Sequence, residues 1–150
     1  MAEKKLIEKT GHNKKCGFVD EDGNWIVEPI FDIISYMGFV EGFCRVKLKG
    51  RWGYIKTDGS FLVEPKFDIA HEFNEGYALV GIERIGYGYL NTNGTYLVEP
   101  KFNMADDFIE GLARVCLNNK WGYIKDDGTW IVEPKFDEAE PFDYFWLKQK

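Results

Sequence analysis

The groups in this chain most able to do chemistry are carboxylates. Four glutamates, Glu28, Glu64, Glu99 and Glu133, recur in a Val-Glu-Pro tripeptide, and paired carboxylates can act as general acid and base or hold a hard cation. Their setting points elsewhere. In a strand where Phe61 and Val63 face one side, Glu64 faces the other, and Lys66, Lys101 and Lys135 stand nearby, so solvated or salt-bridged glutamates account for the pattern. His12 and His71 are the only histidines; far apart and at different repeat positions, they build neither a metal site nor a Ser-His pair. Cys16, Cys44 and Cys116 show no disulfide or metal-ligand spacing and read as free buried thiols. Gly86-Tyr87-Gly88 does not follow a strand and open a helix, as a phosphate loop would. With no nucleophile, base and orienter at usable spacing, no catalytic residue, metal site or cofactor is assigned and the expectation is a non-enzyme.

Two surface features remain. The segments 32–42, 68–76, 103–111 and 137–143 hold twelve of the twenty-five acidic residues and no lysine or arginine. Asp68, Glu72, Glu75, Asp106, Asp107, Glu110, Asp137, Glu138, Glu140 and Asp143 are the candidate partner-binding groups. If stacked units align these segments into one acidic edge, with Lys47, Lys49, Arg51, Arg84 and Lys120 on the opposite edge, the molecule is electrostatically two-sided and suits a basic protein partner. The second feature is a ring ladder, Trp25, Phe61, Tyr96 and Trp130, which could stack sugars if exposed; stacked aromatics in adjacent repeats more commonly form core. The net charge of −6 disfavours nucleic acid, whose non-specific binding rests on lysine and arginine.

These groups hang on a repeated scaffold. Residues 122–136, GYIKDDGTWIVEPKF, have earlier copies starting at Gly17, Gly53 and Gly88, and the second and fourth copies agree at eleven of fifteen positions. The prolines Pro29, Pro65, Pro100 and Pro134 step by 36, 35 and 34 residues. A period of that size marks an array whose units cover one another's apolar faces. Within a unit, short aromatic and β-branched runs flank a turn at Asp22-Gly23, Asp58-Gly59, Asn93-Gly94 and Asp127-Gly128, a hairpin signature. Gly23, Gly59, Gly94 and Gly128 serve turns that need positive φ, and the prolines end the outgoing strand. After each proline, Asp32, Asp68, Asn103 and Asp137 sit where an N-cap is wanted, which predicts a short helical turn closed onto the sheet by Phe39, Phe73, Phe108 and Phe142. A third strand follows at 43–48, 77–82 and 112–117. Residues 5–10 supply that strand for the first unit, and 146–150 form an orphan closing strand.

The tetrapeptides Trp52-Gly53-Tyr54-Ile55 and Trp121-Gly122-Tyr123-Ile124, each followed by Asp-Gly, a Val-Glu-Pro-Lys-Phe-Asp run, and Glu75-Gly76 or Glu110-Gly111, resemble the bacterial WG repeat family from residue 17 to residue 142. Tyr87 and Cys16 replace tryptophan, and Tyr144-Phe145 replaces Glu-Gly in the last copy. The resemblance implies a binding module without a general activity.

The reading is one all-β repeat domain over 1–150, with an N-terminal strand or cap at 1–16 and four three-stranded antiparallel meanders starting at 17, 53, 88 and 122, each with a short helical turn. The array is expected to be open and twisted, with a closed propeller-like arrangement as the alternative. Trp52 and Trp121 are read as structural. Met1 to Thr10 has no apolar targeting segment and no run reaches membrane-spanning length, so a cytoplasmic monomer without membrane contact is expected. The expected function is protein binding through the acidic edge, with an immunity protein capping a basic nuclease as a concrete case; ligand binding by exposed aromatics is the alternative.

Overall fold

Each hairpin closes on the glycine of its turn dipeptide. In the second copy Lys56 N donates to Ser60 O at 2.8 Å and Gly59 N to Lys56 O at 3.0 Å, with Gly59 at φ +89°. The Asp58 carboxylate accepts from Ser60 N at 2.9 Å and Ser60 Oγ at 2.6 Å, a local side-chain bond that favours turns over ladders. Asn93 with Thr95, and Asp127 with Thr129, repeat it.

The computed structural model describes residues 5–137. Glu138, Glu140, Phe142, Asp143 and the strand expected at 146–150 lie outside the described residues. In chain order the strands are β1 (Ile7–Thr10), β2 (Cys16–Val19), β3 (Trp25–Phe31), β4 (Ile33–Val40), β5 (Phe43–Leu48), β6 (Arg51–Lys56), β7 (Phe61–Phe67), β8 (Ile69–Ala70), β9 (Tyr77–Ile82), β10 (Gly86–Asn91), β11 (Tyr96–Phe102), β12 (Met104–Ala105), β13 (Leu112–Leu117), β14 (Lys120–Lys125) and β15 (Trp130–Phe136). They form four open antiparallel sheets, one of three strands and three of four. The chain divides into two compact units, residues 1–73 and 74–150. The first holds the sheets β1-β2-β3 and β4-β5-β6-β7; the second holds the meander β9-β10-β11 and the sheet β12-β13-β14-β15.

The helical turn expected after Pro29, Pro65 and Pro100 is not there, so the unit of three strands plus a helical turn is corrected; the turn expected after Pro134 lies outside the described residues. Among the described residues there is no helix, and β4, β8 and β12 occupy those positions. β4 pairs with β5 through Ile33↔Lys47 and Ile34↔Val46, and β12 with β13 through Met104↔Cys116 and Ala105↔Val115. The polar bookkeeping explains the outcome. A helical turn leaves its first N–H groups to be capped, whereas here Asp32 N and Asn103 N donate to Lys47 O and Cys116 O at 2.9 and 2.8 Å. The side chains expected as N-caps cap hairpin links instead: Asp32 Oδ2 accepts from Lys49 N at 2.8 Å and Asn103 Oδ1 from Asn119 N at 3.1 Å.

The two sequence signatures, Trp-Gly and Val-Glu-Pro, meet at one bulge. The β6–β7 register shifts between Trp52↔Phe67 and Tyr54↔Val63, so β7 bows over Gly53 between them. A Cβ on Gly53 would stand 2.6 Å from both Pro65 N and Val63 O, so no larger residue fits. Gly17, Gly88 and Gly122 meet the same Val-Glu-Pro backbone at 2.3 to 2.6 Å. Because β3, β7, β11 and β15 end the strand order of their sheets, the missing proline N–H falls on an edge strand, where it costs the ladder little.

Successive sheets share cores inside each unit. In the first, Phe18, Phe31, Ile34, Cys44, Val46 and Ile55 form one buried cluster drawing on both sheets; in the second, Leu79, Tyr89, Phe102, Phe108, Ala113, Val115 and Ile124 do the same. Neighbours in sequence with opposite facings are both buried, as with Tyr54 and Ile55. Strands covered on both faces lose the simple alternation of a one-sided sheet. Burial also holds the Cys44 thiol in its neutral form, with its pKa pushed up to about 12.

Candidate binding surface on the connections

The connections between proline and third strand carry the acidic residues, and most of those with described side chains already have partners inside their own unit. Asp68 pairs with Arg51 at 2.7 Å and Asp106 with Arg114 at 2.7 Å. Asp32 is held by Lys15 and Asp137 by Lys120. Glu72 accepts from Arg45 Nε at 2.8 Å and from Ser35 Oγ at 2.7 Å. Glu75 spans two backbone amides, Glu110 N at 2.8 Å and Gly111 N at 2.9 Å. Asp107 is half-buried, while Glu110 is exposed.

The expectation of opposite acidic and basic edges is therefore corrected. Arg51 and Lys120, assigned to the basic edge, contact Asp68 and Asp137, each seventeen residues downstream. The antiparallel pairs Trp52↔Phe67 and Trp121↔Phe136 bring the aspartate that follows each edge strand beside the residue that precedes each tryptophan, so the two charges belong to one corner of the sheet. Lys15 and Lys49 N together hold the Asp32 carboxyl below its ordinary value of 3.8, the Lys15 hydrogen bond contributing most. Exposed pairs of this kind are screened by solvent and contribute little to stability.

The aromatic ladder does not present a row of open faces. Phe61 meets Phe31 edge-on at 6.0 Å and Trp130 meets Phe102 edge-on at 6.0 Å, while Lys9 Nζ lies 5.7 Å from the Trp25 ring centre. Trp52 and Trp121 are half-buried rather than core. Arg45 Cζ and Lys47 Nζ lie 5.1 and 5.5 Å from the Trp52 ring centre, so that ring is covered by cations. Among the described residues no acidic, histidine or cysteine cluster could hold a metal ion. Glu28, Glu64, Glu99 and Glu133 are exposed on the edge strands.

One feature escaped the sequence reading. In the first connection Tyr36 is 92% exposed and Met37 52% exposed, at a tip that turns through Gly38 at φ +68°. Its base is fixed. Buried Ser35 accepts from Met37 N at 3.3 Å and from Arg45 Nη2 at 3.2 Å, and Arg45 Nη1 donates to Ala70 O at 2.6 Å. The signal available in the sequence was the two extra residues of this connection together with the apolar pair they carry.

Residues 17–52, 52–83, 87–121 and 121–144 each match the sequence model of the WG containing repeat. This chain belongs to that family. The geometry gives the WG repeat its meaning here: the glycine makes room for the Val-Glu-Pro bulge of the same unit. The positions where Cys16 and Tyr87 replace the WG tryptophan retain the pairing to the edge strand, Cys16↔Phe31 and Tyr87↔Phe102. No curated protein matches the chain. Among solved structures the chain is similar to the computationally designed Ika8 protein, with 7% identity and a TM-score of 0.44 over 87% of this chain. The WG chain spans about half of that protein, 46% of its length.

Proposed function

We propose that this WG repeat chain is a non-enzymatic protein-binding module whose connections engage a basic partner protein. The observation that carries the reading is the Tyr36-Met37 tip, an exposed apolar pair held on a buried polar base. Tyrosine anchors presented rigidly supply large contact area at small entropic cost, and such anchors dominate many interfaces. Net charge of −6 and the exposed carboxylates favour a cationic partner by long-range steering, which acts on association rate more than on affinity. A basic nuclease neutralised by an immunity protein matches this chemistry.

The test is a pull-down with neighbouring gene products, followed by binding kinetics on the captured pair. Tyr36→Ala with Met37→Ser lowers affinity at least about tenfold through faster dissociation. Asp107→Lys with Glu110→Lys slows association at least about tenfold at low salt, and the effect fades above about 0.15 M salt. Asp106 is left intact because Arg114 depends on it. A partner whose on-rate ignores the reversal and whose off-rate ignores the tip removes the proposal.

A further inference from the structure

The first sheet is one strand short of the others. In the last sheet β13 lies between β14 and the connection strand β12, and β5 lies in the same way between β6 and β4. β1 holds their place in the first sheet, where it ends the strand order: β2 is on one side and no described strand is on the other.

The repeat register says which backbone groups this leaves open. Thr10 stands opposite Cys16 as Cys116 stands opposite Trp121, and Glu8 opposite Phe18 as Arg114 opposite Tyr123. In the filled copy the connection donates Asn103 N to Cys116 O at 2.8 Å and Asp106 N to Arg114 O at 3.0 Å. Residues of an antiparallel strand alternate between bonding one neighbour and the other, so the backbone groups of Glu8 and Thr10 face away from β2. No described strand reaches them.

The side chains at this edge select what can add to it. Opposite Arg114 the connection carries Asp106, and the two pair at 2.7 Å. β1 has exposed Glu8 at the same position, so the sign of the match is reversed. A strand filling the edge brings lysine or arginine where the connection brings aspartate, because opposite charges across a ladder favour pairing and like charges oppose it. A second copy of β1 fits poorly: antiparallel pairing of two copies centred on Lys9 or on Glu8 sets like charges directly opposite. Short charged edge strands resist indiscriminate pairing, which leaves this edge open to addition but restricted by charge.

We propose that the outer edge of β1 is a strand-addition site for an extended basic segment of a partner protein, whose lysine or arginine pairs with Glu8 while its backbone N–H groups donate to Glu8 O and Thr10 O. The inference goes beyond the reading above and uses neither the Tyr36-Met37 tip nor the connection acids, so either can fail without the other.

The experiment uses the full chain labelled with ¹⁵N at about 0.15 M salt, which screens general attraction to the acidic protein. The probes are two acetylated, amidated peptides with the sequence of residues 102–106, one carrying Asp106→Lys and the other Asp106→Glu. The lysine peptide should move the Glu8 and Thr10 amide protons downfield to saturation, with a Kd at least about threefold lower than that of the glutamate peptide. In Glu8→Lys the order should invert. Equal affinity for the two peptides overturns the proposal, as does an unchanged order in Glu8→Lys or a response confined to other amides. Glu8 and Thr10 shifts that depend on protein concentration without peptide assign the edge to a second copy and overturn it too. Should Glu8→Lys not fold, Glu8→Gln takes its place: it should erase the preference, and a retained preference overturns the proposal.

Discussion

The first and third connections begin alike, with Asp32-Ile33 and Asn103-Met104 following the same proline-bearing strand, and then part. In the third, Tyr89 reaches through the core and its hydroxyl donates to Asp106 O at 2.5 Å, while Phe108 is 1% exposed against Tyr89, with ring centres 4.8 Å apart. In the first, Phe18 stands at the tyrosine position without a hydroxyl. There β4 runs for eight residues, Phe39 is half-buried, and Tyr36 projects into solvent. A connection tied to the core by a buried hydroxyl and a buried ring lies flat, and one lacking the hydroxyl and holding two further residues can display a tip.

Three measurements sharpen or break that contrast. The largest effect is expected at the phenylalanines. Phe108→Ala should destabilise the chain by about 3–5 kcal/mol in chemical denaturation, because it empties a fully packed site. Phe39→Ala should cost less than half as much, and equal losses would mean that the first connection is packed as tightly as the third. Next comes Tyr89→Phe, which gives the third repeat the first repeat's residue. It leaves the Asp106 carbonyl without its hydroxyl donor and should cost about 1–3 kcal/mol, with faster amide exchange over 103–111. Unchanged exchange there would show that the hydroxyl does not hold the connection down.

The smallest effect is in pH. Asp32 caps its hairpin link as an ion held below 3.8, so its contribution is present above the ordinary carboxylate range and is lost as pH falls through the lowered folded value. Asn103 makes the equivalent bond with a side chain that does not titrate. After correction for intrinsic exchange, acidification from about pH 6 to pH 3, spanning the carboxylate range, should reduce protection of the Lys49 amide and leave that of Asn119 unchanged. Equal loss at both would assign the effect to the whole sheet rather than to Asp32.

Much of the architecture was legible because its causes are local. The Asp-Gly turn, the two runs around it and the third strand each carry their signal within a few residues. Residues 5–10 could be placed as a strand because they precede the first Gly-Phe-Val run as the third strand of each later copy precedes the next one. The helical turn failed because the deciding partners are remote: Asp32 and Asn103 look like N-caps until the amides of Lys49 and Asn119 are brought to them, and those lie 17 and 16 residues away. The separation of acidic and basic edges failed for the same reason, since Arg51 and Lys120 read as a separate edge until the antiparallel pairing of each edge strand returns their aspartates. The candidate surface was legible only as composition. Its most exposed ring, Tyr36, breaks the repeat pattern, and a search for what recurs passes over what occurs once.

The proline bulge of the edge strands has a consequence for the chain while it is being made. An aromatic-rich polypeptide that folds unit by unit passes through stages at which its newest edge strand is bare, and bare edges recruit other chains. Here the last strand of every sheet arrives with its own interruption, a proline at Pro29, Pro65, Pro100 or Pro134 seated in a bulge. A nascent chain paused after any repeat thus ends in a strand that templates poorly. The safeguard against misassembly on the ribosome is written once into each unit, so it does not depend on the array being finished.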